Sequence, residues 1–179
     1  PEKAVHIYSL DHYGAWREEL SGSEAASAAL AGPGAFGENL AITGVKECDV
    51  CVGDLWRAGT ALLQVSQARQ PCWKLDHRFG VHGMARHVQA SLRTGWYCRV
   101  RRSGQVRGGD VMALEERPNP AWPLSRVLRL LYVDTLDSGG LEALAALPEL
   151  AQGWRSLAAR RLARAEVEDW RGRLDGPQE

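Results

Sequence analysis

A change of hydrophobic period divides this 179-residue chain into a β-rich part and a helical part. Before Pro118-Asn119-Pro120 the apolar residues fall in short runs separated by glycine turns. Ala4-Val5-His6-Ile7-Tyr8, Val50-Cys51-Val52, Leu55-Trp56-Arg57, Trp96-Tyr97-Cys98-Arg99-Val100 and Val111-Met112-Ala113-Leu114 read as strands. Gly53-Asp54, Gly59-Thr60, Ser103-Gly104 and Gly108-Gly109-Asp110 supply turns, and Gln105-Val106 starts a return strand. Such a series argues for a barrel or a sandwich. Beyond the prolines the period turns helical. Leu124, Val127, Leu128 and Leu131 form one stripe, Leu141, Leu144 and Ala145 a second, and Leu150, Trp154 and Leu157 a third, with Pro148 as a break. The expected class is α+β, with a β-rich unit over residues 1–117 and a three-helix appendage over 121–171. The tail from Gly172 is expected to be disordered.

Helices are also expected around the β-rich unit. Ser9 and Asp11 cap and charge a helix that reaches residue 20, with Leu10, Tyr13, Trp16 and Leu20 near helical spacing. Residues 23–30 form a second, which Gly32-Pro33-Gly34 must end. Residues 83–93 form a third, with Gly95 as its stop, and 76–81 read as a polar loop. Arg155, Arg160, Arg161 and Arg164 share a basic face, normally a solvated one and otherwise a docking face for a reductase.

The stretch richest in chemistry runs from residue 61 to 75. Leu63 and Val65 alternate with Gln64 and Ser66, as in a strand with two unlike faces. Pro71 cannot donate to a ladder, so the strand ends before Cys72. Ser66, Gln67 and Arg69 place a hydroxyl, an amide and a guanidinium in the same segment. A thiol beside donors and a cation is a nucleophile or metal ligand; the plain alternative is a buried cysteine in a turn.

Formal net charge is zero, which excludes a broad electrostatic footprint for nucleic acid. No apolar run approaches the ~20 residues of a membrane span. Lysine occurs only at positions 3, 46 and 74, so arginine carries nearly all the positive charge. Cys48, Cys51, Cys72 and Cys98 have no secreted disulfide spacing, which favours a reducing cytoplasm. Cys48-x-x-Cys51 lacks the second ligand pair of a zinc site. Glu38 falls in register with Phe36, Leu40 and Ile42, so its carboxylate needs a partner, with an arginine as the structural choice.

Gly37-Glu38-Asn39-Leu40, Val50-Cys51-Val52-Gly53-Asp54, Leu63-Gln64-Val65-Ser66-Gln67-x-Arg69-x-Pro71-Cys72 and Thr94-Gly95-Trp96-Tyr97 occur in one order. Together they resemble the MOSC-domain family in its YiiM-like branch, and the C-terminal third resembles that branch's three-helix domain. The chain departs from the family in carrying Ala68 where proline usually precedes the arginine. It also begins where the middle of a MOSC domain is expected, with further strands ahead of Pro1. The resemblance implies a β-rich barrel that binds molybdenum cofactor (molybdopterin), with Cys72 as the protein ligand to molybdenum. It places Glu38 and Asn39 near the cofactor, where Asn39 can read a pterin edge. Ser66, Gln67 and Arg69 are the candidates for its phosphate. It also carries a family association with pyridoxal phosphate.

The function implied is an oxidoreductase that reduces N-hydroxylated small molecules of the hydroxylaminopurine or amidoxime type. No iron–sulfur or flavin motif is visible, so electrons come from a separate reductase; a homodimer is also compatible. The alternative is a non-catalytic carrier of the cofactor or of sulfur on Cys72. A third reading is a thiol hydrolase pairing Cys72 with His77, His82 or His87.

Overall fold

The computed structural model describes residues 1–176. In chain order the elements are β1 (Val5–Ser9), a 3-10 turn (Leu10–His12), α1 (Tyr13–Glu19), α2 (Glu24–Ala29), β2 (Leu40–Ile42), β3 (Leu55–Ala58) and β4 (Ala61–Ala68). There follow α3 (Lys74–Phe79), α4 (Met84–Ser91), β5 (Trp96–Arg102), β6 (Met112–Glu116), α5 (Leu124–Tyr132), α6 (Ser138–Ala145), α7 (Gln152–Arg164) and α8 (Arg171–Leu174). The strands make one mixed sheet in the order β2-β1-β5-β4-β3-β6, in which only β1 and β2 run parallel. The sheet curls into a half-barrel: its two edges, at Ala41-Ile42 and at Met112, line the same two cavities.

Two cores hold the sheet. Successive strand residues face opposite sides, so Ile7 joins one core and Tyr8 the other. The first core packs Leu63, Val65 and Cys98 against Leu124, Val127, Leu128 and Leu131 of α5 and against Leu141, Leu144, Trp154 and Leu157 of α6 and α7. The expected three-helix stripes are therefore buried on the sheet. The second core lies under α1 to α4, where Tyr8 stacks on Phe36 with ring centroids 4.0 Å apart.

Several local expectations are corrected. Val50-Cys51-Val52 is buried but forms only an isolated bridge to Pro123, because turns on either side leave it no neighbouring ladder. Gln105-Val106 is irregular, and residues 74–79, expected to be mostly loop, form α3. The helix expected over 83–93 ends at Ser91, with Leu92 itself left-handed at φ 58°, before Gly95 is reached. Arg161 is not on a solvated face. It is 2% exposed, pairs with Glu168 at 2.8 Å, and donates to the carbonyls of Leu130, Leu131 and Thr135 at the end of α5. A cation suits that negative helix end. Burial opposes the charge on Glu168, yet bonds from Arg161 and Trp170 bring its pKa down to about 2.

The tail is also corrected. Residues 172–176 return to the β-rich unit, where Leu174 is 2% exposed and Asp175 takes two bonds from Arg86. The part of that expectation covering 177–179 lies outside the described residues.

Gly53 enforces the turn into β3. It has φ 84°, and a Cβ there would lie 2.7 Å from Cγ of Glu149 and 2.9 Å from Cγ of Pro118. Gly53→Ala should therefore cost about 2 kcal/mol or more, from left-handed strain plus overpacking. A urea titration with a lower midpoint and unchanged slope checks this; an unchanged midpoint opposes it.

Candidate functional site

The site grows from the end of β4. Alternation holds through Val65 and then stops, because the register against β5 shifts between Val65 and Gln67. Ser66 is the extra residue of a β-bulge, which bends the strand and re-aims the residues after it. Its hydroxyl lies 2.5 Å from the Glu2 carbonyl and 2.9 Å from the Tyr97 carbonyl, and its own carbonyl accepts from Ala151 N. Ser66 is fully buried, so here it ties backbone together instead of facing an open site. Gln67, 2% exposed, lines a cavity of about 360 Å³ with Lys3, Gln70, Gln152, Trp154 and Arg160.

Arg69 goes elsewhere. Its backbone N–H donates to Gly95 O at 2.9 Å, and its buried Nη1 has no hydrogen-bond partner among the described residues. The guanidinium acts on His6 of β1. Burial above all, and then Arg69, bring the His6 pKa down to about 4, against opposing effects from Gly37, Glu38 and Thr94. His6 is 4% exposed, and its Nε2 also has no partner among those residues. Two unfilled buried polar atoms in one neighbourhood are costly unless something satisfies them.

Glu38 and Asn39 close on the same histidine. Asn39 Oδ1 accepts from His6 N and Asn39 N donates to His6 O, both at 2.8 Å. Asn39 also lines a cavity of about 400 Å³ with Leu40, Ala58 and Arg107. The expected arginine partner of Glu38 is replaced by neutral donors: Tyr13 Oη and Gly34 N at 2.7 Å, and Phe36 N at 3.0 Å. That shape suits the carboxylate because the 34–38 loop wraps around it and points its N–H groups inward. Thus Glu38, Asn39 and Arg69 converge on His6, whereas Ser66 is spent on backbone carbonyls and Gln67 faces the cavity beside α7.

Cys72 follows Arg69 by three residues. It is half-buried, whereas Cys48 is exposed and Cys51 and Cys98 are buried. Burial pushes the Cys98 thiol far up, which makes it inert. Cys72 lines neither the Gln67 cavity nor the Asn39 cavity. Among the described residues no histidine hydrogen-bonds to it: His77 stands edge-on to Trp73, His82 is beside Asp76, and His87 binds Glu19 at 3.0 Å. The hydrogen bond that a Cys–His nucleophilic pair needs is thus not formed among the described residues, and His77 and His82 are exposed. All three lysines are exposed, so none has the desolvated amine that a pyridoxal phosphate Schiff base favours. Among the described residues no three His, Cys, Asp or Glu side chains cluster to hold a metal. A metal at Cys72 would therefore need most of its ligands from a cofactor. The Arg69 Nη1, without a partner among the described residues, and the half-buried Cys72 fit a cofactor that brings an anionic group and its own metal ligands.

His6 is a site residue that the sequence pattern did not single out. The usable signal was a histidine on the same strand face as Tyr8, facing a helix-covered core. The buried pair His12 Nε2···Glu47 Oε2, at 2.7 Å, also needed the fold to be seen.

Folding keeps His6 neutral. The unfolded state binds its proton near pH 6.5 and the folded state only near 4, so stability is full above 6.5 and falls as pH drops toward 4. His6→Gln should flatten the decline between pH 6.5 and 4.5 in urea titrations. An equal decline in both proteins contradicts the assignment.

Comparison with known proteins accords with this geometry. The MOSC domain matches residues 1–113, and the YiiM-like 3-alpha helix domain matches 122–165. Protein YflK of Bacillus subtilis is 37% identical over 156 residues, covering 87% of this chain and 67% of that protein. A protein named reductase from Gibberella moniliformis is 36% identical over 148 residues, covering 82% of this chain but only 26% of its own length. The crystal structure of YiiM from Escherichia coli superposes with a TM-score of 0.88 at 30% identity, covering 96% of this chain and 83% of that one. This chain belongs to the MOSC-domain family, in the branch that carries a YiiM-like three-helix domain.

Proposed function

We propose that the chain is a molybdenum-cofactor-binding oxidoreductase with the Cys72 thiolate as protein ligand to molybdenum. The observation that carries this is the half-buried thiol of Cys72, three residues beyond an arginine with a buried, unpartnered Nη1. A soft thiolate is the apt protein donor to molybdenum, and it must be deprotonated to bind. Family membership and the 36% identical protein named reductase support the redox assignment.

When bound, the cofactor supplies a redox metal able to take an oxygen atom from substrate. The chain's own residues do the rest. Arg69 offers its free N–H to an anionic group. His6, neutral around pH 7, presents Nε2 beside it without adding a second positive charge. Asn39 has its oxygen tied to β1 and keeps Nδ2 for a pterin edge or substrate. The substrate is an N-hydroxylated base or amidoxime, in which two electrons and two protons convert N–OH to N–H and water. The electrons come from a separate reductase, for which Arg155, Arg160 and Arg164 are the basic docking candidates.

The test is metal content in protein made by a host that builds molybdopterin, together with reduction of 6-hydroxylaminopurine by a supplied reductant. Wild type should retain molybdenum and turn over, and Cys72→Ala should lose both. Normal molybdenum retention by Cys72→Ala refutes the ligand assignment. Retention by wild type without turnover favours the cofactor carrier instead.

A further inference from the structure

The C-terminal segment ends on the loop that bears Cys72, and one residue there touches both sides of it. The backbone carbonyl of Arg173 accepts from Trp73 N at 2.9 Å. The guanidinium of the same residue donates from Nη1 to the carbonyl of Pro71 and from Nη2 to Gln89 Oε1 at 2.6 Å. Pro71 and Trp73 flank Cys72, so Arg173 brackets the cysteine at its two peptide neighbours.

The anchorage runs on into the rest of the chain. Leu174 is buried, Asp175 pairs with Arg86 of α4, and a Cβ on Gly176 would lie 3.2 Å from the Trp73 ring. On the other side, Trp170 stands edge-on to Tyr132 at the end of α5, and Glu168 joins Trp170 to the buried Arg161 of α7. A continuous set of contacts thus leads from the three-helix unit to the thiol loop.

We propose that Arg173 is a positioning residue for Cys72, and that the three-helix unit is attached to the β-rich unit partly to hold this thiol. Two hydrogen bonds to carbonyls or N–H groups at adjacent peptides restrict the φ and ψ that carry the Cys72 side chain. Residues 70–73 lie outside any strand or helix; the Cys72 and Trp73 carbonyls accept from Leu75 N at 2.9 Å and Asp76 N at 3.0 Å, and Arg173 adds the bonds to the Pro71 carbonyl and the Trp73 N–H. The role in metal binding rests on the ligand assignment proposed for Cys72; the restraint on the thiol does not.

The experiment measures alkylation of apoprotein by iodoacetamide, read residue by residue by mass spectrometry, with exposed Cys48 as internal reference. Arg173→Ala should speed alkylation of Cys72 about fivefold or more, the scale of losing about 1 kcal/mol of restraint, and leave Cys48 unchanged. Arg173→Lys, which keeps the charge but not the two-armed fork, should fall between wild type and Arg173→Ala. Gln89→Leu, which removes one anchor of the guanidinium, should act in the same direction and serves if Arg173→Ala does not fold. A Cys72 rate within twofold of wild type in a folded Arg173→Ala or Gln89→Leu protein overturns the proposal. Molybdenum content of the same variants separates the two ideas. Faster alkylation with molybdenum also retained by Cys72→Ala would uphold the positioning and reject the ligand role.

Discussion

Everything beyond Val65 depends on the bulge at Ser66. One buried hydroxyl reaches the carbonyls of Glu2 and Tyr97, and the same residue's carbonyl receives the N–H that precedes α7. The start of the chain, the central strand pair and the three-helix unit meet at this residue. The bulge adds one residue to β4 and re-aims the chain from Gln67 onward, and the strand then ends at Ala68, so Gln67 and Arg69 serve different neighbourhoods. Gln67 faces the cavity beside α7, and Arg69 faces His6. A strand continued past Ala68 would have put both on one face. The mixed use of this short segment is what leaves a cation with an unfilled N–H next to a cysteine loop.

The neighbourhood of His6 is electrostatically economical. Burial and Arg69 keep the imidazole neutral, so the site carries one strong cation there instead of two. Glu38 does not neutralise Arg69 by pairing with it. Its oxygens are taken by Tyr13 and by two backbone N–H groups, which also hold the loop that leads into β2. The carboxylate is thereby a scaffold for Asn39. Binding an anion at Arg69 would satisfy a donor that has no partner among the described residues.

Much of the fold was legible because it rests on local periodicity. Leu124, Val127, Leu128 and Leu131 announced α5, the run over residues 23–30 ahead of Gly32-Pro33-Gly34 announced α2, and Gly53-Asp54 announced a turn. Failures came where tertiary contacts overrode local pattern. Val50-Cys51-Val52 has strand composition but no ladder partner, and α3 forms in a polar stretch because Leu75 and Phe79 find the second core. The order of residues 172–176 was hidden for the same reason: Leu174 and Arg173 are held by residues far earlier in the chain. Within the site, Cys72 and Arg69 could be named from sequence. The separation of Ser66 from Arg69 could not, since a bulge has no sequence signature here. His6 was missed because a histidine inside a short strand ordinarily reads as packing.

The central claim is that the Cys72 sulfur is bonded to molybdenum. X-ray absorption at the molybdenum edge on cofactor-loaded protein tests it most directly. The account predicts one more sulfur scatterer around the metal than the dithiolene supplies, and loss of that scatterer in Cys72→Ser with the dithiolene sulfurs retained. An identical sulfur shell in both proteins would contradict it.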